Sequence, residues 1–185
     1  SSLGYMNEGG YIIKSDFERI NLRLNAESQV KDWLKVGAIL NGSISSAGNA
    51  VDGFNNNAAY INPYNWTRTM GPIYSPYQHD PVTGARLYDP FGNVLYDNGN
   101  ARGTDAAGGR NIVWETMLNE NNTNTYNAQS NVFAEFAILP ELTFRTNAAY
   151  NFRGTYNKTY TNKLIGDALG IGAAARTAYF NRDWT

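Results

Sequence analysis

The stretches RINLRLNA (residues 19–26) and LKVGAILNG (34–42) alternate apolar and polar side chains with period two, as do YNAQSNVFAEFAI (126–138) and LTFRTNAAYNF (142–152). Only an extended chain sends successive side chains to opposite faces, so all four read as β-strands. The even face carries Ile20, Leu22, Leu24 and Ala26, then Leu34, Val36, Ala38 and Leu40, then Val132, Ala134, Phe136 and Ile138, then Leu142, Phe144, Ala148, Tyr150 and Phe152. It is almost free of charge. The odd face carries Arg19, Asn21, Arg23 and Asn25, then Lys35 and Asn41, then Asn127, Gln129, Asn131 and Glu135, then Arg145, Asn147, Asn151 and Arg153. Such an apolar face must meet the apolar face of a second sheet, as in a water-soluble sandwich, or it must meet lipid. In the second case the protein is an outer-membrane barrel whose polar face lines the lumen.

Connector lengths favour the barrel. The first two strands are joined through Glu27 to Asp32 and the last two through Leu139, Pro140 and Glu141, whereas Ser43 to Thr125 and Gly154 to Arg176 are long. Short turns on one side and long loops on the other are the asymmetry of bacterial outer-membrane barrels, and a compact soluble domain rarely holds a connector as long as the first of these. The sequence therefore predicts strands at about 15–26, 33–43, 125–138 and 142–156, the start of a fifth near 177–185, and extracellular loops at about 44–124 and 157–176. The segments 33–43 and 125–138 should pair despite the loop between them, with Ile39 beside Asn131; a sandwich would put those two residues in different sheets. In the barrel reading Arg19, Arg23, Lys35, Glu135, Arg145 and Arg153 face the lumen. Aromatic residues near the predicted strand ends, namely Phe17, Trp33, Tyr126, Tyr150, Phe152, Tyr156 and Trp184, fit the interface, where the ring is apolar and its polar edge stays wet. Four strands and the start of a fifth are too few to close a barrel, so residues 1–185 read as a partial β-barrel domain.

Composition narrows the function classes. The chain has 185 residues and no cysteine, which excludes disulfides, thiolate metal sites and a cysteine nucleophile. A net charge of -1 from 15 basic and 16 acidic residues argues against a nucleic-acid groove. No apolar run has the length of a membrane helix, and the start Ser1-Ser2-Leu3-Gly4 lacks the shape of a signal peptide. His79 is the only histidine, so no histidine-ligated metal site can be assembled. Asp89 and Asp97 read as turn-solvating carboxylates rather than the acid and base of a glycosidase. The glycine-rich run Gly103 to Gly109 lacks the lysine and hydroxyl of a phosphate loop. The expectation is a protein that is not an enzyme and has no metal and no cofactor.

The long loop is rich in asparagine and aromatic residues. Tyr60, Tyr64, Trp66, Tyr74 and Tyr77 lie among Asn62, Asn65, Gln78, His79 and Asp80, a mixture suited to sugars, whose apolar faces stack on rings while their hydroxyls need amide and carboxylate partners. The favoured expectation is nevertheless that these residues pack the loop on itself or against a partner, since a long ordered loop needs a small core of its own. ARLYDPFGNVLYDNG (85–99) reads as a hairpin, with 86–89 and 94–97 flanking the turn Pro90 to Asn93. One YD motif of this kind does not make a repeat array. IVWETMLN (112–119) is too short for its periodicity to separate helix from strand.

GYMNEGGYIIKSDFERINLRLN (4–25) followed by DWLKVGAILNGS (32–43), the loop segment RTMGPIYSPYQHDPVTG (68–84) continuing into LYDPFGNVLYDNGN, and FAILPELTFRTNAAYNF (136–152) together resemble SusC-like TonB-dependent receptors. The resemblance covers nearly the whole chain in that family's order. It implies a 22-stranded outer-membrane barrel with a lumen plug, importing oligosaccharide, or in some members peptide, beneath a SusD-like surface lipoprotein. The plug and the segment that meets the TonB complex have no counterpart in these 185 residues. A soluble β-sandwich binding module of a secreted or surface adhesin is the competing expectation.

Overall fold

The computed structural model describes residues 1–49, 66–67, 70–103 and 106–185. Six strands form one antiparallel sheet in sequence order: β1 (Ser2–Gly9), β2 (Asp16–Lys31), β3 (Leu34–Gly48), β4 (Glu120–Leu139), β5 (Leu142–Thr161) and β6 (Ala173–Trp184). A short helix, α1 (Ile112–Leu118), precedes β4. The sandwich expectation fails here. Ile39 lies directly opposite Asn131 in a continuous β3–β4 ladder, and among the described residues no second sheet covers the first. The protein is all-β, with the sequential pairing and two-faced strands of a barrel segment. Among the described residues no helix is long and apolar enough to cross a membrane.

The register aligns the even residues of all strands from β2 to β6. Ile20 lies opposite Ile44, Ile44 opposite Tyr126, Tyr126 opposite Gly154, and Gly154 opposite Phe180. Residues directly opposite in an antiparallel pair share a face, so one apolar surface runs across the sheet. It is bare: Leu22, Leu40 and Phe144 are 46%, 46% and 54% exposed. Two aromatic rows edge this surface. Tyr156 packs edge-on against both Tyr126 and Phe180 at 5.7 and 5.4 Å, while Phe136 contacts Trp33 and Phe144 at 6.3 and 6.2 Å.

Several elements depart from the sequence reading. β1 was not anticipated, because its eight residues include two glycines and its apolar Leu3 and Tyr5 occupy odd positions. Pairing Leu3 with Leu22 and Tyr5 with Ile20 puts these two on the same apolar face. The fifth predicted strand is a sixth, and it begins at Ala173 rather than near 177. β3 and β4 extend to Gly48 and Glu120, so the long loop is shorter than 44–124; beyond Ile44 these extensions are mostly serine, asparagine and threonine, with no sustained apolar alternation to reveal them. Phe17 pairs with Ala47 on the polar face. Tyr150 and Trp184 pair in the middle of the apolar surface rather than at its edge.

Tight turns at Asp32-Trp33 and Pro140-Glu141 close one end of the sheet, the turn end. The β1–β2, β3–β4 and β5–β6 connections all emerge at the other, the loop end. The buried residues gather there, with Ala107, Ile112, Asn111, Glu115, Thr116, Asn119, Asn162 and Ile165 inside; Phe133, on the sheet, is also buried.

Candidate functional site

Three loops interlock at the loop end, and most of what they bury is polar. α1 starts at Asn111, whose side chain accepts from the Trp114 N–H at 3.1 Å while the Asn111 N–H donates to Glu115 at 3.0 Å. This reciprocal arrangement satisfies two orphan donors of the first turn. The Asn111 amide also donates to the carbonyls of Pro76 and Asp97, pinning the preceding loop to the helix start. At the other end Lys14, from the β1–β2 loop, donates to the carbonyls of Met117 and Asn119, the favourable place for a cation on a helix. Asn119 in turn accepts from Asn162, and Asn162 accepts from Leu164 and Ile165.

Arg110 completes the lock between the two long loops. Its guanidinium meets Glu115 at 3.0 Å and forms a two-pronged pair with Asp167 of the β5–β6 loop. Burial alone would lower the Arg110 pKa, but the hydrogen bond to Asp167 and the charges of Glu115 and Asp167 outweigh it and hold the group protonated. Burial pushes the Glu115 carboxyl up, against the pull of Arg110 and the Asn111 N–H. Gly166 sits at φ 87° beside Glu115, where any Cβ would fall 2.3 Å from the carboxylate. Only glycine allows that approach.

Residues 76–97 build a closed ring rather than a simple hairpin. Gln78 donates to the Leu95 carbonyl, Leu95 to Leu87, and Leu87 back to Gln78, at 2.9, 3.0 and 3.0 Å. Three bridges, Tyr77 to Tyr96, His79 to Arg86 and Tyr88 to Val94, seal the sides. The YD motif is thus present in three variants: His79-Asp80, Tyr88-Asp89 and Tyr96-Asp97. Each aspartate accepts from backbone N–H groups of the turn after it: Val82 and Thr83, Phe91 and Asn93, and Gly99. Bonds from Thr83 and Val82 hold the Asp80 carboxyl below the usual carboxylate range, and Asn93 does the same for Asp89.

The predicted contact residues separate into three groups. Trp66 and Tyr74 line a cavity of about 310 Å³ with Tyr11, Ile13, Ile112 and Arg102. The Arg102 guanidinium lies 5.8 and 5.9 Å from the two ring centres. Arg102 donates to the Arg110 carbonyl, and its Nε is ion-paired with Asp97 at 3.3 Å without the alignment of a hydrogen bond. Tyr77, His79 and Asp80 belong to the ring: Tyr77 packs on Tyr96 and Arg86, His79 Nδ1 donates to the Tyr77 carbonyl, and Asp80 caps its turn. Tyr60 and Tyr64 lie outside the described residues. Sequence reasoning missed Lys14, Arg110, Glu115, Asn119, Asn162 and Asp167; of the side-chain pairs among these, only Arg110 and Glu115 lie near each other in sequence.

Arg19, Arg23, Lys35, Glu135, Arg145 and Arg153 share the polar face of the sheet. Near the turn end Glu27, Lys35, Glu135 and Arg145 alternate in sign across β2 to β5, with Glu27 to Lys35 at 2.8 Å and Glu135 to Arg145 at 3.8 Å. Phe133 interrupts this face, lying against Gly37, where a Cβ would fall 2.2 Å from the ring, and under the Arg145 guanidinium at 4.2 Å. Toward the loop end neutral pairs take over, such as Asn127 to Ser43 and Asn157 to Thr123. Among the described residues no three histidine, aspartate or glutamate side chains converge as metal ligands.

No protein-family model matches the chain, and no curated protein matches it. Solved structures do. The chain is similar to the RagAB peptide transporter (TM-score 0.65, 21% identity) over 98% of its own length and 19% of that chain. It is similar to the RagAB peptide importer in the closed-closed state (TM-score 0.63, 23% identity) and in the open-open state (TM-score 0.60, 21% identity), again over 98% of its own length and 18% of theirs. The chain therefore spans about a fifth of the length of the structures it matches. At these identities the likeness establishes the fold.

Proposed function

We propose that this chain is part of a SusC-like, TonB-dependent outer-membrane transporter that takes up an oligomeric nutrient beneath a SusD-like surface lipoprotein. The observation that carries the reading is the bare apolar face running across all six strands and edged by two aromatic rows. In water that surface would be an aggregation site; in a bilayer it is the lipid contact of a barrel wall. On this reading the loop end is extracellular, the tight turns are periplasmic, and the face bearing Arg19, Arg23, Lys35, Glu135, Arg145 and Arg153 lines the lumen.

The whole transporter would have 22 strands and a plug, with the TonB complex engaged through parts outside these 185 residues. Of the two substrate classes, peptide gains support from the peptide importers the chain is similar to, and oligosaccharide from the asparagine and tyrosine content of the loop. Trp66 and Tyr74 at the cavity, with Tyr60 and Tyr64, are the ligand or lid contacts we favour. Tyr77, His79 and Asp80 act by holding the ring in shape. The role is transport rather than catalysis.

The test is uptake by cells lacking the gene and complemented with the intact protein, supplied separately with labelled oligopeptides and oligosaccharides, with and without a protonophore. Complemented uptake of one class that collapses with the proton gradient, together with lipoprotein co-purification, is the expected result. Uptake of neither class at normal surface abundance would refute the transport reading.

A further inference from the structure

Lys158 of β5 and Arg176 of β6 lie directly opposite each other in the register, on the apolar, even-numbered face. Like charges directly opposite on one face destabilise a sheet unless an anion lies between them. Among the described residues one carboxylate pairs with them: Glu120 of β4 meets Lys158 at 2.6 Å. Among the described residues Arg176, on the far side of Lys158, has no ion pair. The two cations line a hollow of about 560 Å³ floored by Tyr126, Phe152 and Tyr156. Their height is equally telling. The loop-end apolar row runs through Ile44, Tyr126, Gly154 and Phe180, and Lys158 and Arg176 stand four residues beyond Gly154 and Phe180 along their strands. At ~3.3 Å per residue and ~45° of tilt, that is ~9 Å above the apolar band, the depth at which headgroups begin.

We infer that Lys158 and Arg176 form a binding site for a phosphorylated glycolipid of the outer leaflet, with the phosphate between the two cations and the acyl chains on the Tyr126, Tyr156 and Phe180 rings below. The inference rests on the outer-membrane reading above. The guanidinium offers a fork that fits phosphate oxygens, the ammonium adds a point charge, and the exposed Tyr156 and Tyr160 sit at interfacial height.

The test uses the intact protein in phosphatidylcholine vesicles doped with lipopolysaccharide or with dephosphorylated lipopolysaccharide, and inorganic phosphate alone as a third arm. Retained glycolipid is titrated. Each cation near an anionic lipid surface contributes about fivefold in affinity, so the Lys158→Gln/Arg176→Gln double variant should bind the phosphorylated lipid roughly 25-fold more weakly. Lys158→Arg/Arg176→Lys should retain binding, and Arg23→Gln/Arg153→Gln on the opposite face should leave it unchanged. Equal binding by the Gln/Gln variant, equal binding of the dephosphorylated lipid, or full competition by inorganic phosphate would overturn the site. Wild-type protein that remains in the aqueous phase would overturn the membrane reading as well, and is distinguishable from the other outcomes because no vesicle then carries protein.

Discussion

A graded series of arginine substitutions on the even face tests whether lipid covers it. β3 crosses the apolar band from Leu34 to Ile44, about ten residue steps, which at ~3.4 Å each is ~34 Å along the strand. A tilt of ~45° turns this into ~24 Å of height, close to the ~25 Å apolar band of outer-membrane barrels. The mid-plane then falls near Leu40 and its partner Leu24, Leu22 lies about 7 Å from it, and Ile44 lies about 12 Å from it, at the interface. Arginine at the mid-plane costs ~2–4 kcal/mol and near the interface ~0–1 kcal/mol. Leu40→Arg should therefore lower the unfolding free energy of the intact protein by ~2–4 kcal/mol, Leu22→Arg by an intermediate amount and Ile44→Arg least. Arg23→Gln, one residue from Leu22 but on the other face, should cost little. The assay is guanidinium unfolding of the protein refolded into lipid vesicles, followed by tryptophan fluorescence. All three positions are 46–53% exposed in the isolated sheet, so burial in the chain itself predicts no gradient. Equal costs at Leu40 and Ile44, or equal costs at Leu22 and Arg23, would refute lipid contact.

Glu115→Ala leaves Arg110 buried beside Asp167 alone, and losing one partner of a buried pair costs ~3–5 kcal/mol; accelerated proteolysis of residues 106–119 and 162–172 in the intact protein is the readout, with Asp167→Ala milder because Asp167 is more exposed. The turn caps should weaken only in acid. Asp80 and Asp89 have pKa values depressed by folding, so their stabilisation is complete above the unfolded value of ~3.9 and is lost as pH falls through the lower folded value. Hydrogen exchange at the Val82, Thr83, Phe91 and Asn93 amides should be protected at neutral pH and lose that protection only below about pH 4. Gly37→Ala should destabilise the sheet by ~1–3 kcal/mol through overpacking, and Phe133→Leu in the same molecule should recover most of it; an additive double-mutant cycle would deny the contact.

The sheet was legible because a two-residue period survives any tertiary context: each strand states its own faces, and the register follows once those faces must agree. β1 escaped because its apolar residues fall on the opposite parity and two glycines dilute them. Phe133 is an apolar residue at an odd position, and on the polar face it fills the space that Gly37 leaves. The loop layer resisted reading for a different reason. Arg110 and Asp167 are separated by 57 residues and Asn119 and Asn162 by 43, so no local pattern announces either pair. The ring of turns was in principle visible, since Asp80, Asp89 and Asp97 recur at intervals of nine and eight. Its first copy, however, carries His79 and Gln78 where the others carry tyrosine and leucine, which hid the threefold relation.

Sheet and loops are held by different forces. The sheet buries almost nothing of its own: its apolar face is bare, and its polar face holds exposed ion pairs such as Glu27 to Lys35, each worth little in water. Its backbone ladders hold register, but the free energy that fixes the strands must come from what covers the apolar face. The loop end is the reverse. There Glu115, Asn111, Asn119 and Asn162 are at most 4% exposed and hydrogen-bonded, a network in which each missing partner leaves another buried polar group unsatisfied. Such a network tolerates one arrangement and penalises the rest. It can therefore hold Trp66, Tyr74 and the Arg102 guanidinium around the cavity. A loop held only by apolar contacts could slide to new packings; this one is keyed by donors and acceptors, which tie the Pro76, Asp97 and Arg110 carbonyls beside the cavity to Asn111 and Arg102.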